Sequence, residues 1–159
     1  METGTVVCED HAWRATLSRS LPHDAALVWR TLTDPGRFPY WLAQGTIELR
    51  AGGEVRLEFA GSGTVINSSV TEYAEGRVLG FSWSSPAEPQ RPVRLGLRQS
   101  GAHTELEVTL GLPAEEDITK HCAGWEAHLA MLAAAIDGAP IEFPFEIFMQ
   151  AREAYSALT

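Results

Sequence analysis

The sequence predicts an α+β fold in which a seven-stranded curved antiparallel sheet wraps around one long helix near the carboxyl end. Three observations lead there. Ile118, Cys122, Trp125, Leu129, Leu132 and Ile136 recur at steps of four, three, four, three and four. At about 100° per residue they form one narrow apolar stripe. Before that stripe, most of the chain alternates apolar and polar residues in short runs, as half-buried strands do. Tight glycine turns separate many of these runs, so neighbouring strands run antiparallel.

Residues 11–19 form the first strand, with Trp13, Ala15 and Leu17 on one face and Arg14, Thr16 and Ser18 on the other. Pro22 breaks it. His23 or Asp24 caps a helix running to about Thr33, which Asp34-Pro35-Gly36 ends. Phe38, Tyr40, Trp41 and Leu42 make a short apolar element that plugs the core or frames a pocket mouth. Six strands follow: residues 46–50, 55–59, 64–73, 78–83, 93–97 and 106–110. The turn at Gly52-Gly53 uses the freedom of glycine to take positive φ. The long helix covers residues 115–137. Acidic Glu115, Glu116 and Asp117 fill its first turn, and Gly138 and Pro140 end it.

Residues 1–139 form one domain and residues 140–159 an extension. Phe143, Phe145, Phe148 and Tyr155 need cover, since a large apolar side chain gains roughly 1.5–3 kcal/mol on burial. The extension is expected to be helical. It packs on the back of the long helix, where Gly124, Ala127, Met131 and Ala134 are small or apolar, or on a second chain in a homodimer.

Composition excludes several functions. The 159 residues carry a net charge of −9 and a single lysine, Lys120, with no basic cluster, so neither nucleic acid nor an acidic membrane surface is an expected partner. No apolar run reaches membrane-spanning length. The amino terminus lacks the basic start and apolar core of a secretion signal, and a cytoplasmic location is expected. Cys8 and Cys122 have neither metal nor disulfide spacing. Gly61-Ser62-Gly63 reads as a hairpin turn, neither a nucleophile elbow nor a phosphate loop.

Several pieces stand in a telling order. Pro22, Val28-Trp29 and Leu32-Thr33-Asp34-Pro35 open the series, followed by Gly52-Gly53-Glu54 and Gly63-Thr64-Val65. Gly76-Arg77-Val78-Leu79, Phe81-Ser82-Trp83, Gly101 to Leu106, and Gly124-Trp125 with Leu129 and Leu132 complete it. Over residues 11–138 this resembles the START/SRPBCC superfamily, in the branch related to the activator of heat-shock-protein-90 ATPase. The resemblance implies a helix-grip fold with two short helices after the first strand and a cavity between sheet and long helix. The chain departs from that pattern in its Tyr40-Trp41 pair and its tail. Its 159 residues leave no room for the extra amino-terminal domain of the eukaryotic co-chaperone.

On this reading the cavity binds a small hydrophobic or amphipathic molecule. Trp41, Phe81, Trp83, Trp125 and Leu129 are the expected lining residues, and His128 offers a polar contact. His121 shares a flank of the helix with His128, but two histidines do not complete a zinc site and no metal or cofactor is expected. Glu126, on the opposite flank, reads as a solvated helix edge, or as a general base if burial raises its pKa. Arg37, in the loop beside the aromatic element, reads as a surface residue, or as a contact for an acidic ligand. Two rival functions remain open. One is a cyclase-, dehydratase- or hydrolase-like enzyme that uses a buried Glu126 or His128 facing the cavity. The other is an interaction module for a chaperone, acting in a stress response through an exposed apolar patch.

Overall fold

The computed structural model describes residues 1–159. Its chain begins with an extra strand. Thr5–Glu9 (β1) and Ala12–Leu21 (β2) form a hairpin that turns at Asp10 (φ 51°) and His11 (φ 62°). Positive φ at both turn residues matches the twist of the flanking strands. Asp24 then caps Ala25–Thr33 (α1), its carboxylate accepting the Leu27 N–H at 2.8 Å. Phe38–Trp41 (α2) is a single turn with proline at its start. It buries Phe38 and Trp41.

Gln44–Ile47 (β3), Glu54–Phe59 (β4) and Thr64–Ser69 (β5) form a three-stranded sheet. Glu72–Ala74 (β6), Val78–Ser82 (β7), Pro92–Ser100 (β8) and His103–Pro113 (β9) join the first hairpin in a six-stranded sheet ordered β1-β2-β9-β8-β7-β6. The expected seven strands in one sheet are therefore nine strands in two. The two short helices follow the second strand instead of the first.

The split has a local cause. Residues 64–73 look like one strand in sequence, but the backbone changes partners inside them. Val70 exchanges hydrogen bonds with Gly52 and Gly53 at the end of the small sheet, 2.8 Å each, while Thr71 N–H donates to Gly80 of the large sheet at 2.8 Å. Gly52, at φ 79°, supplies the left-handed turn residue that this crossing uses.

Ile118–Ile136 (α3) lies against both sheets through the expected stripe, and all six stripe residues are buried. They share one core with Ala15, Leu17, Val108 and Leu110 of the large sheet and Val55, Leu57 and Ile66 of the small one. The helix starts three residues later than expected. Glu115 and Glu116 precede it, and Asp117 is its cap, accepting the Lys120 N–H at 3.1 Å. At the other end Gly138, at φ 80°, lets Gly138 and Ala139 donate back to Ala135 and Ala134. This pair of bonds satisfies carbonyls the helix leaves open.

Phe145–Ser156 (α4) packs along the back of α3 and buries Ala151 and Tyr155 completely. No helix is long and apolar enough to cross a membrane.

Candidate functional site

A cleft of about 640 Å³ opens between the small sheet and the amino-terminal half of α3. Phe59 and Ile66 of the small sheet form one side, Trp83 and Leu112 the floor, and Trp125 and His128 the helix side. Phe143 and Phe148 of the carboxyl extension close it laterally. The rings touch: Trp83 and Trp125 lie 5.1 Å apart and Phe59 and Trp83 5.3 Å.

The loop joining β7 to β8 shapes the outer end. Trp83 N–H donates to the Arg91 carbonyl at 2.7 Å, and Arg91 N–H donates to Ser82 Oγ at 3.0 Å, so the loop's two ends are pinned together. Ser85 Oγ accepts the Asn67 N–H at 3.0 Å and ties the loop to the small sheet. Arg91 then grips Glu116 ahead of α3 with two bonds of 2.6 and 3.1 Å, and reaches Glu88 at 3.3 Å. The bond to Glu116 is the main reason the guanidinium is held firmly charged.

His128 sits among four rings: Phe143 at 5.8 Å, Trp125 at 6.0 Å, Trp83 at 6.1 Å and Phe59 at 6.3 Å between centroids. Its Nδ1–H donates to the Trp41 carbonyl at 2.9 Å. That bond fixes the tautomer and leaves Nε2 as the acceptor. Burial lowers the pKa of His128 and the bond to Trp41 partly opposes it, so the ring is neutral at pH 7.

His121, one turn earlier than Trp125, also lines the cleft. Burial pushes its pKa down to about 4, with the nearby Arg91 charge adding to the effect and Glu116 working against it. His121 Nε2 and Trp125 Nε1 are both buried and have no hydrogen-bond partner in the protein. Such groups are uncommon, because an unmade buried hydrogen bond costs roughly 1–3 kcal/mol.

Among the residues expected to line a cavity, Trp83, Trp125 and His128 stand on the cleft wall. Trp41, Phe81 and Leu129 are buried behind it in the core. Trp41 packs on Trp125 at 6.4 Å, its indole N–H held by Thr31, and Phe81 packs on Trp83 at 6.3 Å. Sequence reasoning missed Arg91, Phe143 and Phe148, and gave His121 only a place on the helix flank. The aromatic tail was the one visible signal.

Glu126 corrects an expectation. It is 2% exposed, and it neither lies on a solvated edge nor lines the cleft. It pairs with Arg19 of β2 and accepts the Tyr155 hydroxyl at 3.1 Å, while Tyr155 Oη accepts the Gly4 N–H at 2.8 Å. This network fastens β1, β2, α3 and α4 together. Burial, with the adjacent Glu126 adding to it, raises the Tyr155 pKa and pushes the Cys122 thiol up to about 12. Cys122 is therefore an unreactive core residue. Arg37 stays at the surface beside Asp34 at 3.7 Å. A second depression, on the large sheet, is lined by charged side chains such as Arg94, which is already paired with Glu72 at 3.0 Å.

The model of the family described as Activator of Hsp90 ATPase homolog 1-like protein matches residues 22–137. No curated protein sequence matches the chain. Among solved structures, CalU16 from Micromonospora echinospora has a TM-score of 0.80 at 24% identity, covering 99% of this chain and 98% of its own. A conserved protein of unknown function from Enterococcus faecalis has a TM-score of 0.77 at 25% identity, over 98% of this chain and 92% of its own. DynU16, a protein in the dynemicin biosynthetic locus, has a TM-score of 0.71 at 25% identity, over 83% of this chain and 49% of its own.

Proposed function

The chain belongs to the family of Activator of Hsp90 ATPase homolog 1-like proteins, and from the cleft it carries we propose that it binds a small hydrophobic or amphipathic molecule between the small sheet and α3. The observation that carries this reading is the aromatic cleft itself. At about 640 Å³ it has the size and lining of a small-molecule pocket, mostly apolar with a few fixed polar groups. Trp83, Trp125 and His128 touch the ligand. Trp41, Phe81 and Leu129 hold those three in place from behind. The likeness to DynU16, whose locus is biosynthetic, agrees with a small organic ligand.

Native mass spectrometry of the freshly purified protein, followed by denaturing release, tests the reading. A stoichiometric organic molecule that is lost on replacing Trp83 by Ala supports it. A molecule retained by that variant, with its fold intact, argues against the cleft as its site.

One observation favours a second reading, proton transfer on the bound molecule. His128 is neutral, oriented by Trp41 and placed on the cleft wall, as a general base needs to be. Incubating the released molecule with fresh protein separates the two: an altered mass means catalysis, an unaltered one means binding alone.

A further inference from the structure

We propose that the cleft takes a phenol-type ligand, whose ring lies over Gly124 of α3 and whose hydroxyl donates to His128 Nε2. This rests on the cleft being a ligand site at all, and adds the chemistry of the ligand's polar end.

The Trp41 carbonyl can only accept, so the proton it meets at 2.9 Å sits on His128 Nδ1. Nε2 of the neutral ring therefore carries a lone pair and needs a donor. It has no partner in the protein. Unlike His121 Nε2 and Trp125 Nε1, it is not sealed below the cleft surface. Phe143, Trp125, Trp83 and Phe59 stand around the imidazole, at 5.8 Å to 6.3 Å between centroids. An aromatic ligand stacked among those rings displaces the water that Nε2 would otherwise meet. A ligand without a donor hydrogen leaves the acceptor buried and unpaired, which is costly. Lys120, exposed at the rim, is in no ion pair. An exposed charge pair adds little, so the cleft reads the hydroxyl hydrogen more strongly than it reads charge.

Gly124 supplies the place for the ring. Lys120, Gly124 and His128 follow at four-residue steps and all line the cleft, so they form one row along α3. Glycine is a poor residue for a helix interior. Packing does not call for it here: a Cβ at Gly124 would meet no atom within 4 Å. The space a side chain would fill is cleft space. Left open, it lets a flat ring lie against the helix backbone, with Phe59, Trp83 and Phe148 available for stacking. Gly124 is one turn, about 6 Å along the axis, from His128, so a ring there carries its hydroxyl towards Nε2.

The experiment titrates nitrogen-15-labelled protein with 2-naphthol, 2-methoxynaphthalene and naphthalene, and reads affinity from chemical shifts. The methoxy compound keeps the oxygen and loses the donor hydrogen. 2-Naphthol is expected to bind about tenfold more tightly than either of the others, the gain of one net hydrogen bond. In His128→Phe a ring stays and the acceptor goes, so that advantage falls to about twofold or less. Gly124→Leu fills the gap and weakens all three probes by at least about tenfold, with the melting temperature unchanged or raised.

Equal binding of 2-naphthol and 2-methoxynaphthalene by the native protein overturns the hydroxyl anchor while leaving the cleft as a ligand site. A naphthol preference that survives in folded His128→Phe overturns His128 as the acceptor. Undiminished binding by Gly124→Leu overturns the placement of the ring. Binding of none of the three by the native protein overturns the ligand-site reading together with this one. The native-protein comparison decides the matter even where a variant fails to fold.

Discussion

Replacing Glu126 by Ala should cost far more stability than any surface change. The carboxylate is 2% exposed and holds two groups: Arg19 of β2 and the Tyr155 hydroxyl at 3.1 Å. Arg19 is 36% exposed and can recover water, so its share is smaller than that of a fully buried partner. Tyr155 cannot recover water, because its side chain is completely buried and its oxygen already receives the Gly4 N–H. An unsatisfied buried hydroxyl costs roughly 1–3 kcal/mol. With the weakened charge pair, the total for Glu126→Ala is roughly 2–4 kcal/mol. Glu126→Gln keeps an acceptor for Tyr155 and should lose roughly half as much. Tyr155→Phe should lose about 1–2 kcal/mol, and the double change Glu126→Ala with Tyr155→Phe should lose less than the sum, since both remove one shared bond. Urea unfolding at pH 7, with equal slopes across the set, reads these differences. A Glu126→Ala variant within about 0.5 kcal/mol of the native protein would refute the claim that this network fastens the tail to the domain.

The remaining predictions concern the histidines and the tail. His121, with a folded pKa near 4, must gain a proton to unfold in acid. Its contribution is fully present above its unfolded pKa of about 6.5 and is lost as pH falls towards 4, roughly 3 kcal/mol in all. His121→Leu should flatten the stability-against-pH curve in that window, and an unchanged slope would count against the buried neutral ring. Replacing Arg91 by Met removes a repelling charge and leaves Glu116, so the His121 midpoint in a proton NMR titration should move up; a downward move contradicts the assigned cause. Phe143 is 44% exposed and meets His128 at 5.8 Å, so Phe143→Ala should weaken aryl binding by about three- to tenfold with little change in stability. A large loss of stability with unaltered affinity would make Phe143 a packing residue. Deleting residues 141–159 should lower the melting temperature by uncovering the back of α3 and leaving Glu126 without Tyr155. The same melting temperature in the truncated protein would mean that the extension contributes nothing to the fold.

Much of the architecture is legible in the sequence because it rests on short-range periodicity. The six-residue stripe of α3 could not avoid facing a core, and β2, β4, β8 and β9 alternate plainly. What stayed hidden depends on distant partners. Residues 64–73 read as one run because apolar positions continue through Val70, and only Gly53 and Gly80 tell which sheet each end joins. Residues 5–9 show no alternation that marks a strand, because β1 is an edge strand with little buried surface. Glu115, Glu116 and Asp117 suit a first turn or a cap equally well, since the helix dipole favours acid at both. Glu126 looks solvated on an isolated helix. Its burial comes from α4, supplied by a residue 29 positions away. The cleft was half legible: Trp83, Trp125 and His128 come from the sheet and the long helix, whose positions were readable. His121 feels the charge of Arg91 from a distant loop, and Phe143 arrives through the extension, neither of which periodicity can reveal.

The indole region of the nitrogen–proton NMR spectrum offers the most direct test of the central claim. Five tryptophans give five N–H signals that substitution to Phe assigns one by one. On adding 2-naphthol, the account predicts saturable shifts of the Trp125 and Trp83 signals, with Trp29, which packs on Tyr73 at 6.1 Å away from the cleft lining, unmoved. A spectrum in which Trp29 shifts while Trp83 and Trp125 stay still, or in which no tryptophan responds, would contradict it.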